Sequence, residues 1–522
     1  MIDSAPAIVA GIPPLALREE AQVARWRPPD PDANTKPRSN HRYLKAVLWA
    51  LILGSVIRAT YLIGTDFPLT DGGLFQVMIR ELQANHFRLP QFTSYNHAGI
   101  PFAYPPLAFY LTGLLSTVTG WSVTDILHWL PAVLSLGSFV AFAAFANSML
   151  SGAAKRFSLF AFSVLPLTFT WAIMGGGITR SLGDLFSYLA IWRLYELYKL
   201  PRLRNVLLAA MFSGLTVLSH PEAALFTVLT GALLFAFYGR SRRGATASAL
   251  VVVGTVMLAS PWWAVIVSRH GLGVFRTLGD NGFPMYSGAL MLFTSGGTDE
   301  KLFPVLAMLS VLGVIVCLAK RRYFLPVWLA LTFLLESRAP DQRAVVILAL
   351  LIGVGVEEGL LRVVLSAAHG QAVMLRRVVL AAIFAEAIFG ALVGSRSMLE
   401  RLAPADRAAM QWVSVNTPAV ATFLVVGGQP YGEDSLAEWF PALTDRVSLA
   451  THQGYEWLPG YSHRFAATKA LRSCGELGTS CIDTWVNDFG PAPDYLYLRQ
   501  TTEPVANGNS GATLVLETEM RA

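Results

Sequence analysis

Long apolar runs alternating with short polar stretches dominate the chain. Runs near the length needed to cross about 30 Å of hydrocarbon fall at residues 44–63, 126–149, 157–174, 178–198, 205–219, 221–238, 246–268, 302–318, 323–335, 342–356 and 378–395. A shorter run, 105–119, opens with Pro105 and Pro106, stops at Gly120 and is marginal as a full span. Lys and Arg of short loops stay on the cytoplasmic side. They cluster at Arg42 and Lys45, Lys155 and Arg156, Lys199 to Arg204, Arg240 to Arg243, and Lys320 to Arg322. Between these clusters lie GGGITRS, LSHPE, residues 269–300 and ESRAPDQR, which are expected outside. The alternation holds only if residues 105–149 cross an odd number of times. The expectation is therefore a re-entrant 105–119 followed by one crossing, giving eleven spans, with thirteen as the alternative. Either count places the N-terminus in the cytoplasm and the C-terminal tail outside the cell membrane.

Three regions follow from the pattern. Residues 1–42 are polar, hold seven prolines and are expected to be a disordered cytoplasmic segment. No apolar signal core opens them, so the first span is expected to act as the targeting element. Residues 43–395 form a polytopic helical membrane module, and 64–104 is its long first outer loop. From about 396 the period changes: ATFLVV, DYLYL and ATLVLE are separated by Gly and Pro turns, with a helix expected at 404–415. Residues 396–522 thus read as a small extracytoplasmic α/β domain. No two-fold internal repeat stands out.

Composition agrees with this reading. The 522 residues are 54% hydrophobic and 14% charged, against about 25% charged in an average soluble domain. The net charge of +6 divides into −5 over residues 396–522 and +11 before them. The excess lies in loops between apolar runs, which argues for cytoplasmic loop charge and against a nucleic-acid partner.

Candidate chemistry concentrates in the first outer loop. Leu74, Val77, Met78 and Leu82 recur at helical spacing, so residues 73–85 are expected to form an amphipathic helix along the membrane surface. Asp71 precedes it. One reading makes Asp71 its N-cap. The other makes it an ionised carboxylate projecting where a lipid headgroup arrives.

Asp71, the helix through Gln83, Leu89-Pro90, and Tyr104-Pro105-Pro106-Leu107-Ala108-Phe109-Tyr110 together resemble the GT-C class of integral membrane glycosyltransferases. That class includes protein O-mannosyltransferases and lipid A aminoarabinose transferases. The resemblance covers residues 44–240 by motif order and the rest by architecture. It implies a GT-C-like fold, a polyprenyl-phosphate sugar donor, and inverting transfer to an extracytoplasmic glycan, lipid or protein acceptor. It places Asp71 at the catalytic aspartate position, as general base. Asp66 could share the acceptor hydroxyl or a cation, Mg or Mn, with Asp71; no cofactor is certain. Where many members of the class carry a second acidic residue late in this loop, this chain has Asn96 and His97, which puts a metal site and a two-carboxylate mechanism in doubt.

A departing phosphate needs cations, and the arginine fork binds oxygens in pairs. Arg180 in GGGITRS leads, because three glycines permit close approach and a helix N-terminus follows. Asp184, one turn on, is an alternative partner for it. Arg338 and Arg343 flank another outer end as further phosphate candidates, and Arg58, near the outer end of the first span, is a phosphate candidate that could also pair with a carboxylate, although a snorkelling arginine fits there too. Tyr104, Asn96, His97, His220 and Glu222 are candidate substrate contacts, although His220 before Pro221 also fits a simple helix break. His128 carries little weight. Residues 269–300 are long enough for a lid. In the tail, Cys474 and Cys481 are expected to form a disulfide, and EWFPALTDR and YEWLPG carry no assigned chemistry beyond a hypothetical role in acceptor positioning. Two competing functions stay open. An oligosaccharyltransferase with a diphosphate donor would carry a Trp-Trp-Asp run, which is absent here. A lipid or polysaccharide transporter would place polar groups and broken helices at mid-membrane.

Overall fold

The computed structural model describes residues 37–280, 288–292, 297–336, 338–363, 372–396, 398–427, 434–472, 474, 479–499 and 513–517. Most of the expected N-terminal segment, 1–36, lies outside them, as do parts of 269–300. The first helix, α1 (Pro37–Leu62), begins inside that segment. The segment after α1 then supplies α2 (Gly73–Ala84), the two-residue strands β1 (Phe92–Thr93) and β2 (Ile100–Pro101), and α3 (Leu107–Thr119). Next come α4 (Val123–Met149), α5 (Ala154–Val164), α6 (Gly177–Lys199), α7 (Leu203–Val217), α8 (Pro221–Leu234), α9 (Arg242–His270) and α10 (Gly273–Asp280). The module closes with α11 (Val305–Ala319), α12 (Phe324–Leu335), α13 (Pro340–Val354) and α14 (Ala372–Val393).

Each of the eleven expected runs contains a helix. Five described helices are long and apolar enough to cross a membrane by length and composition: His41–Leu62, Val123–Met149, Pro221–Gly239, Arg242–His270 and Pro340–Val363. The run 105–119 is a 13-residue helix stopped by Gly120, whose φ of 75° lies in the left-handed region that glycine tolerates. Ser122 then caps α4, its hydroxyl accepting the Asp125 N–H at 3.0 Å. The expected span 157–174 is corrected: α5 stops at Val164, and Pro166 opens a short 3₁₀ turn through Thr168. The irregular stretch that follows carries the chain to the three glycines before α6.

The largest core gathers Phe139, Phe142, Phe162, Phe169 and Trp328 around α13, whose residues Ala344 to Ile352 are almost completely buried. A helix apolar on every side belongs at the centre of a bundle. Among its neighbours α13 packs on α5, α11 and α12.

The C-terminal region has α15 (Pro404–Asn416), α16 (Ser435–Thr444), α17 (Tyr461–Arg472) and α18 (Thr479–Phe489). With them is a sheet of β3 (Thr422–Val426), β4 (Val447–Ser448), β5 (Tyr495–Arg499) and β6 (Thr513–Glu517), in the order β4-β3-β5-β6. β3 pairs in parallel with β4 and β5, and β6 closes the edge antiparallel to β5. Cys474 and Cys481 are bonded, with Cα atoms 5.2 Å apart. A second core disregards the boundary near residue 396. It joins Phe67, Leu74, Phe75, Met78, Tyr95 and Phe109 of the outer loop region to Met410, Phe423, Trp439, Phe440 and Trp457 of the C-terminal region. Burying these rings together welds the loop to the domain.

Candidate active site

The loop after α1 reaches Asp71 through an unusual backbone. Thr70 has φ 55° and Gly72 φ 129°. Gly72, not Asp71, occupies the N-cap of α2, and no side chain caps that helix. The capping reading of Asp71 is therefore replaced. Its carboxylate turns away to a different helix start: Oδ1 accepts the Gly176 N–H at 2.7 Å, and Oδ2 accepts an Arg180 N–H at 3.2 Å. Gly176 is the residue that opens α6. A carboxylate there is favoured by the helix dipole and by donors that lack intrahelical partners.

The glycines explain the approach. A Cβ on Gly176 would fall 2.5 Å from Asp71 Oδ2, and one on Gly175 would overlap the Asp71 carbonyl oxygen. Leu69 and Gly175 hold the two segments together through a 2.9 Å backbone bond. Arg180 is steadied by a 3.1 Å bond to the Trp171 carbonyl, and its guanidinium lies 5.4 Å from the Trp171 ring centre. Its side chain keeps 20% exposure, whereas Asp71 keeps 5%, so the cation remains the more accessible partner.

Around this pair the structure sorts the other candidates. Tyr104 and Glu222 lie within electrostatic reach of Arg180. The Tyr104 hydroxyl is 3.2 Å from Thr179 Oγ1, its ring meets those of Phe75, His220 and Trp457, and burial raises its phenol. Glu222 stands 3.9 Å from Arg338 Nε. His220 caps α8, its Nδ1 accepting the Ala223 N–H at 3.4 Å, as the helix-break reading expects.

Four expectations need correction. Asp184 pairs with Arg343 and not with Arg180, so Arg343, 2% exposed, is already committed to a carboxylate. Among the described residues Arg58 meets no carboxylate; it donates to Ser135 Oγ at 3.0 Å and to the Gly54 and Thr168 carbonyls. Asp66 pairs with Arg407 at 2.5 Å, with its side chain 68% exposed. Arg407 also holds its carboxyl below the usual range. Asn96 and His97 serve the domain contact: Asn96 brackets Ser448 with bonds of 2.7 and 3.0 Å, and His97 lies 2.9 Å from Asp445. His128, buried in α4, has Thr65 Oγ1 at 3.5 Å. Among the described residues no three His, Cys, Asp or Glu converge to hold a metal ion. Asp71 and Asp66, the two carboxylates that could have shared a Mg or Mn ion, are held by different arginines, Arg180 and Arg407.

Sequence reasoning missed the contribution of the C-terminal domain. Two Glu-Trp pairs, each followed after one residue by Pro, occur at Glu438-Trp439 and Glu456-Trp457. Both tryptophans enter the second core. Glu438 is buried and Glu456 partly buried beside the site, and burial first, then neighbouring carboxylates such as Asp71, raises Glu438 well above the ordinary carboxylate range. Glu456 is raised mainly by burial. The repeated Glu-Trp-x-Pro spacing was the signal that the sequence offered. Part of the expected lid is α10, which packs on the 455–457 turn, with Phe275 and Trp262 5.7 Å apart. Arg269, at the end of α9, ties down the Leu89-Pro90 element through both carbonyls at 2.8 and 3.0 Å.

Neither a protein-family model nor a curated protein matches the sequence. Solved structures do match the fold. The oligosaccharyltransferase AglB from Archaeoglobus fulgidus, in complex with an inhibitory peptide and a dolichol-phosphate, is similar at a TM-score of 0.56 and 13% identity, over 89% of this chain and 70% of that one. ArnT from Cupriavidus metallidurans, bound to undecaprenyl phosphate, is similar at 0.51 and 14% identity, over 87% of this chain and 93% of that one. The arabinofuranosyltransferase AftD from Mycobacteria is similar at 0.52 and 16% identity, over 88% of this chain and 35% of that one. With its 64–104 loop folded between a helical membrane module and a small α/β domain, this chain has the fold of the GT-C integral membrane glycosyltransferases.

Proposed function

We propose that the protein is an inverting glycosyltransferase that moves a sugar from a polyprenyl-phosphate donor to an extracytoplasmic acceptor, with Asp71 as general base and Arg180 as the leading phosphate ligand. The observation that carries this reading is the Asp71–Arg180 pair at the start of α6. Each carboxylate oxygen can accept a second hydrogen bond beyond those from Gly176 and Arg180, and the arginine fork retains free N–H groups beyond those given to Asp71 and Trp171. An acceptor hydroxyl on Asp71 passes its proton to the carboxylate as its oxygen attacks the anomeric carbon. The bond from that carbon to the phosphate oxygen breaks, and the polyprenyl phosphate leaves with the electron pair beside Arg180. Arg338, near Glu222, is a second phosphate ligand within reach of the same cluster. Arg343 supports the site through Asp184, and Arg58 is structural.

The spacing of charges along α6 supports an outward-facing site. Arg180 lies in its first turn and Lys199 ends it, about 30 Å apart along the helix at 1.5 Å per residue. With the basic clusters of Lys155, Lys199 and Lys320 in the cytoplasm, Asp71 and the C-terminal domain face outward. That is where lipid-linked sugars and envelope acceptors meet.

The test is binding of the donor's lipid phosphate. Purified protein in nanodiscs should bind undecaprenyl phosphate, and Arg180→Ala should weaken that binding by about tenfold or more, as loss of a charge-assisted hydrogen bond implies. Equal binding by Arg180→Ala would remove the phosphate role.

A further inference from the structure

Thr70 is the residue that aims Asp71, and its conformation is held from the C-terminal domain. A β-branched residue at φ 55° is costly and persists only where its surroundings over-determine it. Three bonds do so here. The Thr70 N–H donates to the Glu400 carbonyl at 2.7 Å, its hydroxyl donates to the Met398 carbonyl at 3.1 Å, and its carbonyl accepts the Trp439 indole N–H at 3.1 Å. All three partners lie beyond residue 396. The Glu400 carboxylate is bonded in turn by Ser435 at the start of α16 and by Arg499 on β5, which fixes the 398–401 segment to the sheet.

Trp439 is the fulcrum of this arrangement. It is fully buried, and its ring packs edge-on against Phe67 with centroids 4.5 Å apart. A Cβ on Gly72 would stand 3.1 Å from its Cζ2. The neighbouring Glu438 carbonyl accepts the Tyr95 hydroxyl at 2.8 Å and leaves no room for a Cβ on Gly73. An indole nitrogen can only donate. Its single bond is spent on the carbonyl that immediately precedes Asp71.

We propose that Trp439 is a positioning residue for Asp71: by clamping the Thr70 carbonyl, the C-terminal domain holds the catalytic carboxylate on the start of α6. This deepens the general-base reading of Asp71 and rests on it. It also makes the domain a working part of the transferase site and not an independent appendage.

The experiment compares wild type, Trp439→Phe, Trp439→Phe with Thr70→Asn, and Asp71→Asn in nanodiscs. A panel of radiolabelled undecaprenyl-phosphate hexoses and pentoses serves as donor, titrated with native membranes as acceptor. A fifth protein carries benzothienylalanine at position 439, which keeps the ring shape without the N–H and so separates the donor bond from packing. Both position-439 single variants should lose about tenfold or more in kcat at unchanged donor KM, in line with the cost of a misplaced catalytic group. Thr70→Asn should restore most of that loss, because asparagine accepts the left-handed conformation more readily. Wild-type kcat in both single variants, with Asp71→Asn inactive, would overturn this proposal alone. Full activity of Asp71→Asn, or no turnover of any donor by wild type, would overturn the base or transferase reading. A cryo-EM map of the benzothienylalanine protein then judges the positioning claim separately: Thr70 should leave the left-handed region and Asp71 should leave the Gly176 N–H, and an unchanged loop would refute it.

Discussion

Gly176 and Asp71 touch so closely that a single methyl group on the glycine would stand 2.5 Å from the carboxylate oxygen that Arg180 binds. Gly176→Ala is therefore expected to push the carboxylate off both of its partners. Displacement of a reacting group by about 1 Å costs on the order of a hundredfold in rate. Sugar transfer should fall by about that factor while the protein remains folded and monodisperse in detergent. Wild-type transfer by this variant would show that the carboxylate need not sit where the structure holds it.

The Asp184–Arg343 pair predicts a stability effect distinct from chemistry. Arg343 is buried at 2% and Asp184 partly buried at 17% side-chain exposure, among apolar helices. Removing one partner strands the other charge, at about 3–5 kcal/mol, whereas replacing both with apolar residues is often tolerated. Asp184→Leu and Arg343→Met should each lower the unfolding temperature in nanodiscs, and the double variant should recover most of the loss. Additive losses would contradict a buried pair.

Two groups of the C-terminal domain give opposite pH slopes. Burial, followed by the charge of Arg464, lowers His452 from 6.5 to about 4. Its contribution to stability is present above pH 6.5 and is lost as pH falls through about 4. Glu438 is raised from 4.5, chiefly by burial, so its contribution is fully present below 4.5 and is lost as pH rises through its folded value. Thermal unfolding against pH should flatten on the acid side in His452→Gln and on the alkaline side in Glu438→Gln. Unchanged profiles in both variants would contradict these protonation states.

The membrane module was legible because its signal is local. Each apolar run declares a helix by its own residues, and the basic clusters mark the ends of those helices. Pro166 inside the run at 157–174 was the local warning that a long apolar stretch would break. The pairing of Asp71 with Arg180 was half legible: both residues stood out, one before a helix and one after three glycines. Which carboxylate Arg180 would choose was not, because Asp184 is its neighbour one turn away in sequence while Asp71 is 109 positions distant. Long-range choices of that kind depend on how α5 ends and how the chain returns. The same limit hid Trp439, since nothing near EWFP in the sequence shows that the indole will reach Thr70, 369 positions away. Arg58 misled for a different reason. A lone arginine in an apolar run suggests a carboxylate partner, yet a serine hydroxyl and two backbone carbonyls satisfy it.

In the proposed reaction the Asp71 carboxylate removes the acceptor's proton beside the Arg180 guanidinium. The most direct measurement is the initial rate of sugar transfer from radiolabelled undecaprenyl-phosphate sugars, comparing wild type with Asp71→Asn, which keeps the shape and loses the base. The account predicts a fall of about a hundredfold or more, with undecaprenyl phosphate still bound. Transfer at the wild-type rate by Asp71→Asn would contradict it.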